Sequence, residues 1–148
     1  MSLAVPPPEV IRLTAQNPFT ERLQNAQGSS EKRSPLCGSR IVVDVNLDDD
    51  GRVAEVGMRV NACAFSQASA TLLARNLVGR SAEELAQARD AMAGWMAGDG
   101  VAPNWPDIHH LDPERLNAVR RQSVQLAFQA AAEAAEQAAA KVPAKQPG

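Results

Sequence analysis

A switch of hydrophobic period near its middle most constrains what this 148-residue chain can fold into. In "RIVVDVNL", residues 40–47, Ile41, Val43, Val45 and Leu47 alternate with Arg40, Val42, Asp44 and Asn46. A period of two with one apolar face predicts a strand. "DDDG" at 48–51 predicts a turn in which Gly51 takes positive φ. "RVAEVGMRV" predicts a second strand, with Ala54, Val56, Met58 and Val60 inward and Glu55, Gly57 and Arg59 outward. The two read as an antiparallel hairpin with one buried face. From Cys63 the period becomes 3.6: Phe65, Ala68, Leu72 and Leu73 share a helical face, and Gly79 stops the helix. The expected fold is α+β, a small antiparallel sheet of about three strands with helices packed on one face.

The flanks complete that domain. "VPPPEVIRLTAQ" predicts a proline-started helix with Val10, Ile11 and Leu13 as its apolar stripe. Asn17-Pro18 and Gly28-Ser29-Ser30 signal loop, and "GSSEKRS" carries only a weak strand signal. Ser81 and Glu84 form a capping box ahead of a helix whose core stripe is Leu85, Ala88, Met92, Trp95 and Met96. "LDPERL" looks like another helix start, with Asp112 as N-cap and Pro113 in the first turn. "VQLAFQAAAEAAEQAAAK" has high helix propensity, and its outer turns are expected to project beyond the core. Residues 1–140 read as one domain and 141–148 as a frayed tail.

Charge and composition exclude several classes. The net charge of −2 gives no basic field for nucleic acid or an anionic membrane. No apolar run is long enough to span a bilayer, and the N-terminus lacks the pattern of a signal peptide. The expected location is therefore the cytoplasm, where two cysteines stay reduced and a disulfide is not expected.

Those cysteines are the chemical candidates. Cys63 stands where the second strand ends and the helix begins, and the positive end of the helix dipole favours a thiolate there. Cys37 precedes Gly38 at the entrance to the first long strand. An antiparallel hairpin brings both to the same end, as a shared site or as two buried core thiols. Other signals are weaker. His109-His110 reads as a solvated loop pair, because neighbouring histidines on a helix diverge. "NLDDDG" from Asn46 imitates half a calcium loop, but its twelfth position is Gly57 and its flanks are strands, so calcium is rejected. Ser66 and Ser69 have no base partner and read as packing or surface serines.

In order and spacing, "PLCGS", "ACAFSQAS", "LVGR" and "SAEEL" resemble the iron–sulfur cluster scaffold family of the IscU, SufU and NifU N-terminal type. The resemblance is close over residues 34–90 and weaker beyond. It implies a non-enzymatic scaffold that binds iron and sulfur, or a transition metal such as zinc, through Cys37 and Cys63 for transfer to acceptor proteins. The implied partners are a cysteine desulfurase, other assembly proteins, acceptor apoproteins and a second copy of the chain. The family pattern has aspartate where this chain has Ser39 and a third cysteine where it has Ser123, so this is a degenerate member. Gln122, where some members carry histidine, is no strong ligand either. The same alignment starts the last helix near Arg121 and makes "LDPERLNAV" mostly loop. A [2Fe–2S] cluster takes four protein ligands, mostly thiolates, and a hydroxyl ionises far less readily than a thiol. The implied cargo is therefore a cluster, iron or zinc, or nothing. The alternative is an adaptor on the same fold that binds an assembly partner without holding a cluster.

Overall fold

The computed structural model describes residues 6–35 and 38–141. Three antiparallel strands, β1 (Gly28–Ser34), β2 (Ser39–Leu47) and β3 (Val53–Asn61), lie in the order β1-β2-β3. Five helices accompany them: α1 (Pro8–Thr14), α2 (Ala64–Arg75), α3 (Ala82–Met96), α4 (Ala118–Ser123) and α5 (Leu126–Lys141). α5 lies across β1 and β2, α2 reaches β3, and α1 and α3 pack on α2 and α5. The α+β architecture with helices on one face is the one expected.

The hairpin forms with one change of register. Asn46 faces Glu55 while Leu47 faces Val53, so Ala54 is an extra residue in β3. This bulge turns Val53 into the core and leaves Ala54 exposed, which corrects the simple alternation expected for the start of that strand. The "polar" face of β2 is also covered. Residues 17–27 cross it, and Asp44 is completely buried beneath Arg22 and Leu23. Gly57 permits that crossing, because a Cβ there would collide with the Leu23 backbone.

"GSSEKRS" is the third strand, despite its weak signal. Its buried side consists of Gly28, Ser30 and Ser34, and the alanines of α5 pack on it. Small residues on both sides bring the two backbones together without large apolar side chains. α5 is correspondingly more deeply set than its sequence suggests: Ala127, Ala130, Ala131, Ala134, Ala135 and Ala138 are all buried, and only the last turn projects. A Cβ on Gly28 would overlap the Ala134 carbonyl. Gly28→Ala should therefore force α5 off β1 and cost about 2 kcal/mol. A urea unfolding curve with an unchanged midpoint would show that this contact has slack.

Two further expectations need correction. In α1, Val10 and Leu13 are buried but Ile11 is 49% exposed, because one position along a helix rotates it about 100° off the stripe. After Asp112 the chain makes only a short 3₁₀ turn, Pro113–Arg115. Asp112 does cap it, accepting from the Glu114 N–H, but Leu116 returns to extended backbone and Asn117 caps a new start at α4. The last helical stretch thus begins at Ala118 and breaks once before α5. The Ser81–Glu84 capping box forms as expected, and Leu85, Met92, Trp95 and Met96 are buried.

Candidate functional site

Cys63 is the N-cap of α2. Its backbone is extended, with φ −65° and ψ 166°, and its carbonyl accepts the Gln67 N–H at 2.9 Å. The thiol is free and half-buried. Ser39 opens β2, next to Arg40, which pairs in register with Asn61 at the end of β3. The strand pairing therefore brings Ser39 to the start of α2, across 24 residues of sequence.

Ser123 comes from the opposite side. It closes α4, whose start is held by the Asn117 side chain accepting the Arg120 N–H at 2.9 Å. Carbonyls at a helix C-terminus lack intrahelical partners. Two α2 serines supply them: Ser66 Oγ donates to the Ser123 carbonyl at 2.7 Å, and Ser69 Oγ donates to the Val124 carbonyl at 2.5 Å. The break between α4 and α5 is thus tied to α2, directly behind Cys63. Both serines are fully buried. Sequence reasoning missed this positioning role. The available signal was their spacing of three, which puts them on the same buried face as Phe65 and Leu73.

The three groups meet. Cys63 Sγ lies 3.6 Å from Ser123 Oγ, and Ser123 Oγ lies 3.5 Å from Ser39 Oγ. Ser39 and Ser123 are 2% and 0% exposed, so Ser123 fills the space between Ser39 and the thiol. Two thiolates on one tetrahedral zinc stand about 3.8 Å apart, and two oxygen ligands about 3.4 Å apart. The spacing therefore suits donors sharing an ion. The donor chemistry suits it poorly, since two of the three are neutral hydroxyls. Cys37, the second candidate thiol, lies outside the described residues. Gly38 beside it has φ 72°, which glycine adopts without strain, and its N–H donates to the Ser34 carbonyl at 2.9 Å.

Of the remaining candidates, Gln122 borders this corner through Ser34, which pairs with Ser39. Gln122 is exposed, and its Oε1 accepts from Ser34 Oγ at 3.3 Å. His109 and His110 sit on the 3₁₀ turn Ile108–Leu111, their ring centroids 4.6 Å apart. Among the described residues, no three His, Cys, Asp or Glu side chains converge as a metal-holding group. Beside the site, the Arg120 guanidinium lies 5.0 Å over the Phe65 ring. Arg40 and Arg33 lie on the opposite face of the sheet from Ser39, where they share Glu31 and hold its carboxyl below the usual range. No helix of the described chain is long and apolar enough to cross a membrane.

Comparison with known proteins gives this geometry a context. The model of the NifU-like N-terminal domain matches residues 10–104. The crystal structure of a nitrogen-fixing NifU-like protein (N-terminal) from Brucella abortus is similar at 31% identity. The match covers 92% of this chain and 95% of that one, with a TM-score of 0.83. A protein assigned as an iron–sulfur cluster assembly scaffold of the SUF system, from Fervidobacterium islandicum, shares the fold at 18% identity. That match covers 87% of this chain and 95% of that one, with a TM-score of 0.77. No curated protein matches the chain.

Proposed function

We propose, from the premise that this chain belongs to the NifU-like N-terminal domain family, that it is a scaffold-type protein of iron–sulfur cluster assembly. Its cargo, iron with sulfur or a transition metal, is taken at the corner formed by Cys63, with Cys37 as the second thiol, and passed to acceptor proteins. Such a scaffold is a carrier and not an enzyme. Sulfur reaches it from a cysteine desulfurase or another assembly protein, in a cytoplasmic setting that keeps the thiols reduced. The observation that carries this reading is the 3.6 Å contact between Cys63 Sγ and Ser123 Oγ, at ligand-edge spacing.

One chain brings two thiols and a cluster wants four. A homodimer supplies the other two, and its holo form would be dimeric. The expected result of anaerobic purification is iron or zinc, together with acid-labile sulfide, in the wild type. Cys63→Ser should lower both about tenfold or more. Wild-type protein that retains neither metal nor sulfide after reconstitution would overturn the scaffold reading.

A second reading is favoured by the two hydroxyls at the corner. Ser39 and Ser123 hydrogen-bond within the protein rather than offering thiolates, which suits an adaptor that binds an assembly partner and carries nothing. On that reading, changing Cys37 and Cys63 to serine leaves partner binding and cellular function intact.

A further inference from the structure

We infer that the outer edge of β3, centred on Val60, is a docking site for an extended acidic segment of a partner protein, which pairs there as a short fourth strand beside Cys63. The inference does not depend on what Cys63 carries.

The hydrogen-bond pattern fixes which backbone groups face outward. β3 is an edge strand of the sheet. The Met58 N–H donates to the Glu21 carbonyl at 3.0 Å, on the side away from β2. In an antiparallel pair, both polar groups of a residue point the same way and alternate along the strand. Gly57, Arg59 and Asn61 therefore bond to β2, and Val60 presents its N–H and carbonyl outward. At the start of β3 the edge is closed: the Val53 N–H donates to the Arg80 carbonyl at 2.8 Å, and the Val53 carbonyl accepts from the Gly79 N–H at 2.8 Å. At Val60 no protein group among the described residues meets the edge.

The space beside that open position is shaped to receive a chain. A half-open cavity of about 380 Å³ is walled by Val60 and Asn61, by Thr14 of α1, by Asn17 and Phe19, and by Gln67 of α2. Its lining mixes amides and two threonine hydroxyls with one half-buried aromatic ring, which suits a peptide backbone and one side chain. An unpaired strand edge calls for a backbone, since only an extended chain can match its donor and acceptor spacing. Arg59 lies on the cavity wall, is exposed, and makes no ion pair among the described residues. That free cation selects a carboxylate in the incoming strand. The groove ends at the site, because Asn61 is two residues before Cys63 and the Gln67 side chain donates to the Ala62 carbonyl at 2.7 Å. A strand seated here would deliver its flanking residues to the thiol.

The test uses the full chain and a blocked eight-residue peptide of alternating valine and glutamate. On adding the peptide, amide exchange at Val60 should slow about tenfold, with NMR shifts confined to Met58–Asn61 and the cavity wall. Arg59→Glu should weaken binding about tenfold and reverse the preference toward a valine–lysine peptide. Val60→Pro should abolish binding while leaving the fold intact, since that N–H is outside the β2 ladder and proline is tolerated on strand edges. Equal binding by a peptide N-methylated at every residue, which leaves neither of its edges able to donate, would overturn the proposal. So would unchanged affinity in Val60→Pro, or a homodimer formed through this edge. A Val60 amide already protected in the free chain, and released by removing residues 1–5, would assign the edge to the chain's own N-terminus and overturn it equally.

Discussion

Ser123→Cys is expected to raise the affinity of this chain for zinc by about a hundredfold. A structural zinc site of four ligands is worth about 10–16 kcal/mol, so one added thiolate contributes about 3 kcal/mol. The geometry is already set. The Ser123 side chain stands 3.6 Å from Cys63 Sγ, and the Ser66 and Ser69 hydroxyls hold the Ser123 and Val124 carbonyls from behind. A cysteine there should put its sulfur close to the spacing of two thiolates on one ion. Ser39→Asp in the same background should add a further gain, by replacing a neutral hydroxyl with a charged donor beside the same atom. Competition with a chromophoric chelator, run on the wild type and both variants, measures the series. Cys63→Ser in the Ser123→Cys background should cancel the gain. If Ser123→Cys binds no more tightly than the wild type, the corner is not a ligand site and the adaptor reading gains.

How much of this was legible in the sequence follows from how each element earns its stability. The β2–β3 hairpin, α2 and the Ser81–Glu84 box announce themselves because they bury large apolar side chains at a fixed period or use a cap of known spacing. β1 gave little signal because it is held by backbone approach: Gly28, Ser30 and Ser34 lie under an alanine helix, and small-on-small packing leaves no hydrophobic alternation. The bulge at Ala54 was invisible because a one-residue insertion changes facing without changing composition. Asp44 read as a solvent-facing strand residue, since nothing in β2 itself predicts that residues 17–27 cross over it. The candidate site divides the same way. Cys63 at the strand-to-helix joint followed from periodicity. Ser39 and Ser123 followed only from the family resemblance, and no local pattern joins residues 84 positions apart.

Asp44→Ala is expected to destabilise the fold by about 2–3 kcal/mol at pH 7, because it removes hydrogen bonds to a charged acceptor and leaves the part-buried Leu23 N–H without one, while Arg22, 42% exposed, regains water. The carboxylate is 0% exposed and fully committed. Arg22 donates through Nε at 2.7 Å and through a second guanidinium nitrogen at 3.0 Å, Ser29 Oγ donates at 2.6 Å, and the Leu23 N–H donates at 3.0 Å. Burial alone would push this carboxyl up; the hydrogen bonds from Arg22, Ser29 and Leu23 outweigh it and hold it below the usual range. The sign of the pH dependence follows. A carboxyl depressed in the folded state contributes fully above its unfolded value of about 3.9, and that contribution fades as pH falls through the lower folded value. The stability gap between wild type and Asp44→Ala should therefore be widest near neutrality and narrow in acid. At pH 7 the variant should melt about 10 °C lower. Asp44→Asn separates charge from shape, because its amide would point donors at the Leu23 N–H or the Arg22 guanidinium and should recover little. The loss should also reach the β3 edge. Leu23 is two residues from Glu21, whose carbonyl holds the Met58 N–H, so amide exchange at Met58 should accelerate in the variant before that of Val43 or Val45. Unchanged exchange at Met58 would mean that residues 17–27 are held on the sheet without Asp44, and the ion pair would then be a stabilising contact rather than the anchor of this segment.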